Sequence, residues 1–229
     1  MINRNTFLKL TTLSSLGVST ETYGFLNKKN NLPKVLILGD SISIGYFPFV
    51  KKTLLNKADI SRPMLLNGGF ENCEGTTKGV ENISKWIGDT SWDLIHFNFG
   101  LHDIKHVDLI TGKNSKSFDD PHQAPPNQYR KNLNKIVKVL KKTGAKLVFA
   151  TTTPYPDSNL KPARKPGMYK IYNEIAIRVM KKNKIEINDL NSFVLPRMSE
   201  LQRPYNVHFS KYGSSELAKV VIKSILQNL

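Results

Sequence analysis

Short runs rich in apolar residues alternate with amphipathic segments along most of this chain. The run at 35–38 holds four consecutive apolar residues, and further runs follow at 94–99, 146–152 and 185–188. A continuous apolar run of this length predicts a strand that is buried on both faces, as in a parallel sheet. Residues 64–67 predict a further short strand, because they lie directly before a Gly-Gly pair. Five strands are therefore expected.

Helical patterns separate these strands. Apolar residues recur at helical spacing from Val80, Tyr129 and Met168, and an unbroken apolar stripe runs along a last helix that begins near Ser210. A short helix is also predicted at 49–55. Strands that alternate with helices in this way favour a parallel sheet covered on both faces. We therefore expect a three-layer α/β/α sandwich with a five-stranded parallel sheet.

Two polar stretches interrupt this alternation, at 105–127 and 153–167. Both contain several prolines, which predicts long loops with little regular structure. Long loops over the edge of a sheet often shape pockets.

The length of 229 residues and the hydrophobic content of 39% are enough for the core of one α/β domain, which we assign to residues 31–229. Residues 1–30 differ in composition. Arg4 and Lys9 precede a short segment of small and apolar residues, which resembles a bacterial export signal with one of the two arginines of the twin-arginine type. An uncleaved N-terminal arm is the alternative. We expect export to the periplasm or the extracellular space, with a cytoplasmic location left open, and no run is apolar enough to predict a membrane-spanning helix.

The chain carries a formal net charge of +16. Many of the lysines, such as Lys131, Lys135 and Lys138, flank the apolar stripe of a predicted helix, and aromatic residues suited to base stacking are not interleaved with them. This pattern favours a solvated face over a nucleic-acid surface, although it would attract an anionic polysaccharide. Cys73 is the only cysteine, which excludes an intramolecular disulfide and a cysteine-based zinc site.

Residues suited to nucleophilic catalysis lie where predicted strands end. Gly39-Asp40-Ser41 follows the first strand and His102 the third, while Gly75 lies in a polar loop before a helix and His208 before the last helix. Segments that follow parallel strands share one edge of the sheet, so these residues can meet. The imidazole of His208 could accept the proton of Ser41 during attack on a carbonyl. The backbone N–H groups of Ser41 and Gly75 could then stabilise the oxyanion.

These residues form four ordered blocks, namely Gly39-Asp40-Ser41, Asn72-x-x-Gly75-x-Thr77, Gly100-x-His102-Asp103 and His208. In this order they resemble the blocks of the SGNH (GDSL-type) hydrolase and esterase superfamily, over about residues 34–227. The resemblance implies a flavodoxin-like sandwich, and we expect no metal or organic cofactor. It also implies ester hydrolysis through an acyl-serine, often the deacetylation of carbohydrates, with Ser41 as nucleophile, His208 as base and Gly75 as oxyanion donor.

The chain departs from the superfamily pattern at two positions. The asparagine of the third block is replaced by His102, whose Nε2–H could donate to the oxyanion as an amide does. The acid that the superfamily places three residues before the histidine is Tyr205 here, and Asn206 beside it is not acidic. A backbone carbonyl or a distant acid such as Asp189 could orient His208, although Asp189 is better explained as a helix cap.

Two further acids belong to the candidate site. Asp40 and Asp103 each follow a strand, where a carboxylate can order the loop by accepting backbone N–H bonds. We also predict that both residues contact the substrate. The alternative for the first block is purely structural, since Ser41 or Asp40 could simply cap the helix that follows.

Two other functions remain open at this stage. His102-Asp103-x-x-His106 has the spacing of two metal ligands and predicts a metal-dependent hydrolase as an alternative. The missing acid also permits a non-catalytic protein that binds an acidic glycan or nucleic acid through its lysines. We predict a serine esterase that removes acetyl or other short acyl groups from a small-molecule or carbohydrate ester.

Overall fold

The computed structural model describes residues 32–229. The predicted export signal lies outside the described residues and stays a prediction. The strands are β1 Lys34–Leu38, β2 Asp59–Ser61, β3 Leu94–Phe97, β4 Lys146–Ala150 and β5 Glu186–Asn188. The helices are α1 Ser41–Thr53, α2 Thr76–Ile87, α3 Leu101–Ile104, α4 Pro126–Lys141, α5 Met168–Lys182, α6 Leu190–Val194, α7 Met198–Leu201 and α8 Lys211–Asn228, with a 3₁₀ turn at Leu195–Arg197.

The five strands form one parallel sheet in the order β2-β1-β3-β4-β5. Val35 of β1 lies opposite Leu94 of β3, which in turn lies opposite Lys146 of β4. Helix α1 packs against α8, and α4 packs against α2 and α5. The predicted flavodoxin-like α/β fold with a five-stranded parallel sheet is therefore confirmed. Strand β2 is added on one side of β1, and β3 and the later strands are added on the other side. The crevice between β1 and β3 is therefore the point where the strand order changes direction, and ligands bind at such a point in open α/β sheets.

The second strand is not where the sequence placed it. It covers Asp59–Ser61, whereas the predicted segment at 64–67 forms only an isolated antiparallel bridge from Met64 to Phe70. Ile60 is buried, while Leu65 and Leu66 are exposed. A three-residue edge strand with one buried side chain has no apolar run to reveal it, so the prediction of a strand at 64–67 was wrong.

The first helix also begins earlier than predicted. It starts at Ser41 and not at residue 49, because the buried Asp40 carboxylate accepts the backbone N–H of Ile42 at 2.9 Å and caps it. Pro48 lies inside this helix and disfavours it locally. The burial of Ile42, Tyr46 and Val50 in the core compensates for this cost.

The apolar core follows the sheet. The side chains of β1 from Val35 to Leu38 are all buried, and so are those of β3. Among residues 32–229, no helix is long and apolar enough to cross a membrane.

Candidate active site

Ser41 is the first residue of α1, directly after the turn that follows β1. Its Oγ lies 2.9 Å from Nε2 of His208, although 167 residues separate them in the chain. The two residues meet because both the end of β1 and the loop before α8 lie at the same edge of the sheet. This distance is within hydrogen-bond reach of a nucleophile and its base.

The loop that carries His208 is fixed at both ends. Gln202 and Phe209 form a bridge across it, and the backbone N–H of Arg203 donates to the carbonyl of His208 at 2.9 Å. Ser210 then caps α8 by accepting the N–H of Gly213 at 2.9 Å. These bonds hold the ring of His208 over Ser41.

Asn206 orients the imidazole. Its Oδ1 lies 3.0 Å from the backbone nitrogen of His208 and 2.8 Å from Nδ1 of the same residue. A backbone N–H can only donate, so the atom that faces both nitrogens is the amide oxygen, and Nδ1 must carry the ring proton. Nε2 is then the unprotonated nitrogen that faces Ser41, which is the tautomer of a general base.

Asn206 was not predicted to orient His208, because it is not acidic. An asparagine that accepts the N–H of the second residue after it is nevertheless a common local motif, so the pair Asn206 and His208 carried a signal. Asp189 does not orient the histidine. It caps α6, as expected, and also accepts the hydroxyl of Thr151 at 2.8 Å.

His208 is neutral near pH 7. Partial burial of the ring lowers its pKa, and the nearby charges of Arg203 and Arg164 lower the pKa further. Because Asn206, the partner of Nδ1, carries no charge, it does not oppose this shift. The ring is therefore free to accept a proton.

Two backbone N–H groups are available beside the hydroxyl of Ser41. Neither the N–H of Ser41 nor that of Gly75 has a hydrogen-bond partner among residues 32–229. Gly75 precedes α2, and a Cβ on it would lie 3.1 Å from the carboxylate of Asp103. Glu74, directly before Gly75, has a φ of 53°, a left-handed conformation that is uncommon for a residue with a side chain. The turn therefore presents the N–H of Gly75 at a strained and closely packed position.

His102 lines the same cavity as Ser41. Burial lowers its pKa to about 3, so the ring is neutral at physiological pH. Its Nδ1 lies 3.8 Å from Oε2 of Glu74 and has no hydrogen bond within residues 32–229. At 3.8 Å this contact is too long to be a hydrogen bond, so it does not fix the tautomer of the ring. The role of His102 as an oxyanion donor stays a prediction.

Asn72, the first residue of the second block, is another candidate for this role, although no role was predicted for it from the sequence. Its Oδ1 accepts the backbone N–H of Glu74 at 2.9 Å, which fixes the orientation of the amide. The side chain lines the cavity with Ser41, and its Nδ2 makes no hydrogen bond to the described part of the chain. Asn72 therefore offers an amide donor of the kind that the third block lacks.

Asp40 and Asp103 are both buried and do not line this cavity. Asp40 accepts the N–H of Ile42, and Asp103 accepts the N–H of Thr76 at 2.8 Å together with the Thr76 hydroxyl. Burial raises the pKa of Asp40 to about 6 and that of Asp103 to about 7. The structure gives no support for the predicted substrate contact, because both carboxylates are enclosed. It agrees with the expectation that they order the loops.

The cavity beside Ser41 has a volume of about 310 Å³. Asn206 and His208 form one side, and Asn72 and His102 also line it. Tyr205, at the rim, is 83% exposed and has a left-handed φ of 55°. The cavity is large enough for a small ester beside the hydroxyl of Ser41.

The metal site predicted at His102 and His106 finds no set of three ligands among residues 32–229. His106 donates through Nδ1 to the carbonyl of Asp120, and its ring packs 4.4 Å from that of His122. Within residues 32–229, no group of three His, Cys, Asp or Glu side chains is placed to hold a metal ion. The pair His102 and His106 therefore lacks a third ligand there.

The α/β fold with its five-stranded parallel sheet matches the fold of solved SGNH and GDSL hydrolases. Solved structures with this fold include many hydrolases, acylhydrolases and esterases of that kind. No protein-family profile matches the sequence, and no curated protein sequence matches it. The likeness to solved structures is therefore one of fold.

Three of these structures illustrate the likeness. A lipase/acylhydrolase from Enterococcus faecalis is 20% identical, with a TM-score of 0.67 over 86% of this chain and 97% of that chain. An acetyl xylan esterase is 16% identical, with a TM-score of 0.63 over 84% of this chain and 99% of that chain. A GDSL-like lipase from Bacteroides thetaiotaomicron is 15% identical, with a TM-score of 0.61 over 86% of this chain and 89% of that chain.

Proposed function

We propose that this protein is a serine esterase that removes acetyl or other short acyl groups from a carbohydrate through an acyl-serine intermediate. The observation that carries the proposal is the 2.9 Å contact between Oγ of Ser41 and the unprotonated Nε2 of His208. The fold supports the same conclusion, since the solved structures that share it include esterases and lipases.

In the first half of the reaction, Oγ of Ser41 attacks the ester carbonyl while Nε2 of His208 takes the hydroxyl proton. The negative charge that develops on the carbonyl oxygen is stabilised by the N–H groups of Ser41 and Gly75. A side chain adds a third donor, either His102 as the sequence predicts or Asn72. The tetrahedral intermediate then collapses, and His208 returns the proton to the leaving alcohol.

In the second half, water attacks the acyl-serine. His208 takes a proton from the water, the second tetrahedral intermediate collapses, and the acid leaves as Ser41 recovers its proton. Asn206 holds the ring in the required tautomer throughout, as an asparagine does in some cysteine proteases. Because Asn206 is neutral, it stabilises the imidazolium less than an aspartate would. The proposed chemistry needs no metal or organic cofactor.

Two features support a carbohydrate as the alcohol part. One solved structure with this fold is an acetyl xylan esterase. In addition, the exposed ring of Tyr205 stands at the rim of the cavity, where an aromatic face can pack against a sugar ring. We further propose, from the composition of residues 1–30, that the protein is exported to reach such a substrate.

The proposal is tested by incubating the protein with acetylated glycans and measuring released acetate. Labelling with a fluorophosphonate should modify Ser41, and the Ser41→Ala variant should show neither labelling nor turnover. This substitution should lower kcat on the order of 10⁴-fold or more while leaving thermal unfolding unchanged. If Ser41→Ala retained the turnover of the parent protein, another group would be the nucleophile.

A further inference from the structure

Three cationic side chains line the cavity beside Ser41. They are Lys105, at the end of α3, and Lys161 and Arg164, in the long loop between β4 and α5. No aspartate or glutamate of residues 32–229 is among the groups that line this cavity. The site therefore has a positive lining that ester hydrolysis does not itself require.

Arg164 is the most informative of the three, because it is only 6% exposed. Its Nε donates to the carbonyl of Leu101 at 3.1 Å, and its Nη1 donates to the carbonyl of Pro162 at 3.3 Å. Nη2 has no partner among residues 32–229, and no carboxylate of these residues forms an ion pair with the guanidinium. The carboxylate of Asp40 favours the charged form of Arg164 but forms no ion pair with it. A buried cation that lacks a direct ion pair is costly, so a free N–H at a cavity wall indicates a place for an anion.

Arg62 provides the contrast within the same chain. It is equally buried, at 5% exposed, but both of its terminal nitrogens are occupied. Nη1 donates to the hydroxyl of Ser43 at 3.1 Å, and Nη2 donates to the carbonyls of Gly39 and Glu71. Arg62 therefore leaves only its Nε unpaired, and it does not line the cavity beside Ser41. Arg164, in contrast, does line this cavity and keeps a terminal donor free.

The two lysines are not neutralised by acids within the described residues. Neither Lys105 nor Lys161 forms a salt bridge there. Burial lowers the pKa of Lys105, and the charge of Glu74 opposes this shift. One oxygen of Glu74 already accepts Lys78 at 3.1 Å. Lys105 is half-buried and Lys161 is exposed, so the positive charge extends from the wall of the cavity to its mouth.

We infer that the alcohol part of the ester substrate carries a carboxylate, which binds Nη2 of Arg164 and is attracted by Lys105 and Lys161. An O-acylated acidic sugar, such as an acetylated uronic acid, combines this carboxylate with the ester that the Ser41 hydroxyl attacks. The inference rests on the proposed function, and it narrows the substrate from carbohydrate esters in general to acidic ones. A charge-assisted hydrogen bond of this kind selects the charged substrate over its neutral counterpart.

The test compares two substrates that differ only in the carboxylate. Methyl glucuronoside and methyl glucoside, each acetylated at the same hydroxyl, are hydrolysed by the full chain at low salt. We expect kcat/KM to be at least about tenfold higher for the acidic ester. Arg164→Gln should bring the ratio of the two values close to one, and Lys105→Gln or Lys161→Gln should lower it by a smaller factor. Lys181→Gln, which removes one exposed lysine at the far end of α5, is the matched control and should leave the ratio unchanged.

The outcomes separate this inference from the proposed function. If p-nitrophenyl acetate and both sugar esters are left intact, the proposed function fails. Hydrolysis of both sugar esters with equal kcat/KM overturns only the carboxylate inference. A loss in Arg164→Gln that is the same for both esters also overturns it, because Arg164 would then serve the reacting centre. Should Arg164→Gln fail to fold, the test is product inhibition of ester hydrolysis by the parent protein. The inhibition constant of unacetylated methyl glucuronoside should be at least about tenfold lower than that of methyl glucoside. Equal inhibition constants would overturn the inference.

Discussion

Oδ1 of Asn206 accepts hydrogen bonds from two nitrogens of His208, the backbone nitrogen at 3.0 Å and Nδ1 at 2.8 Å. The backbone bond identifies the acceptor as the amide oxygen, and the ring bond then fixes the tautomer. A neutral side chain thus takes the position that an acid holds in a Ser-His-Asp triad. This arrangement separates the two contributions of that acid, since Asn206 orients the ring but does not supply a charge.

Replacing Asn206 tests both contributions. Asn206→Ala removes the acceptor for Nδ1, and the loss of one such bond, about 1–3 kcal/mol, should lower kcat about 5- to 150-fold. Asn206→Asp keeps the geometry and adds a charge that stabilises the imidazolium, so kcat should rise. Steady-state kinetics with p-nitrophenyl acetate measures both effects. If Asn206→Ala had the kcat of the parent protein, the bond to Nδ1 would play no part in turnover.

The pH profile should follow the protonation of His208. The active form of the base is the neutral ring, and burial together with Arg203 and Arg164 lowers the pKa of His208 below its usual value of 6.5. Activity should therefore be lost as pH falls, with a midpoint of kcat/KM below 6.5. In Asn206→Asp the midpoint should move to higher pH, because the added carboxylate favours the charged ring.

This shift also distinguishes His208 from the buried acids nearby. Asp40 and Asp103 have pKa values of about 6 and about 7, so their titration falls in the same range. A midpoint that stays fixed in Asn206→Asp would assign the acid limb to one of these groups and not to His208.

The third oxyanion donor is tested by paired variants. Removing a donor of this kind costs about 2.7–4 kcal/mol of transition-state stabilisation, or roughly 10²- to 10³-fold in kcat. We expect this loss in Asn72→Ala, and also in Asn72→Asp, which keeps the acceptor for Glu74 but not the donor. His102→Ala should lose this much only if Nε2 of His102 donates, and His102→Asn should then remain active. Full activity in both Asn72 variants would exclude Asn72 from the oxyanion site.

Stability should respond to the protonation of Asp103. Burial raises its folded-state pKa from 3.8 to about 7, so between these values the folded protein holds a proton that the unfolded chain has lost. The contribution of Asp103 to stability is therefore fully present below about pH 4 and is lost as pH rises towards 7. Asp103→Asn removes this dependence. The parent protein should become less stable relative to Asp103→Asn over this range, as measured by urea unfolding at a series of pH values.

Much of the architecture was predictable because parallel strands have a local signature. The apolar run at 35–38 and the stripe after Ser210 depend only on neighbouring residues, and both elements were placed correctly apart from their ends. The blocks around Ser41 and His208 were recognisable for the same reason, since a strand end followed by a polar turn and a polar loop before an apolar helical stripe are both visible in the sequence. Their meeting could be expected from the common edge of a parallel sheet.

Only the tertiary structure decided the features that depend on long-range packing. Strand β2 has too few buried residues to leave a pattern, so its position follows from pairing with β1. The tautomer of His208, the free amide of Asn72 and the open guanidinium of Arg164 each depend on where a side-chain atom points and on what remains unpaired around it. The sequence determined which residues could do chemistry, because strand ends and turns are encoded locally. The fold decided which atoms face the cavity, because that depends on contacts between residues far apart in the chain.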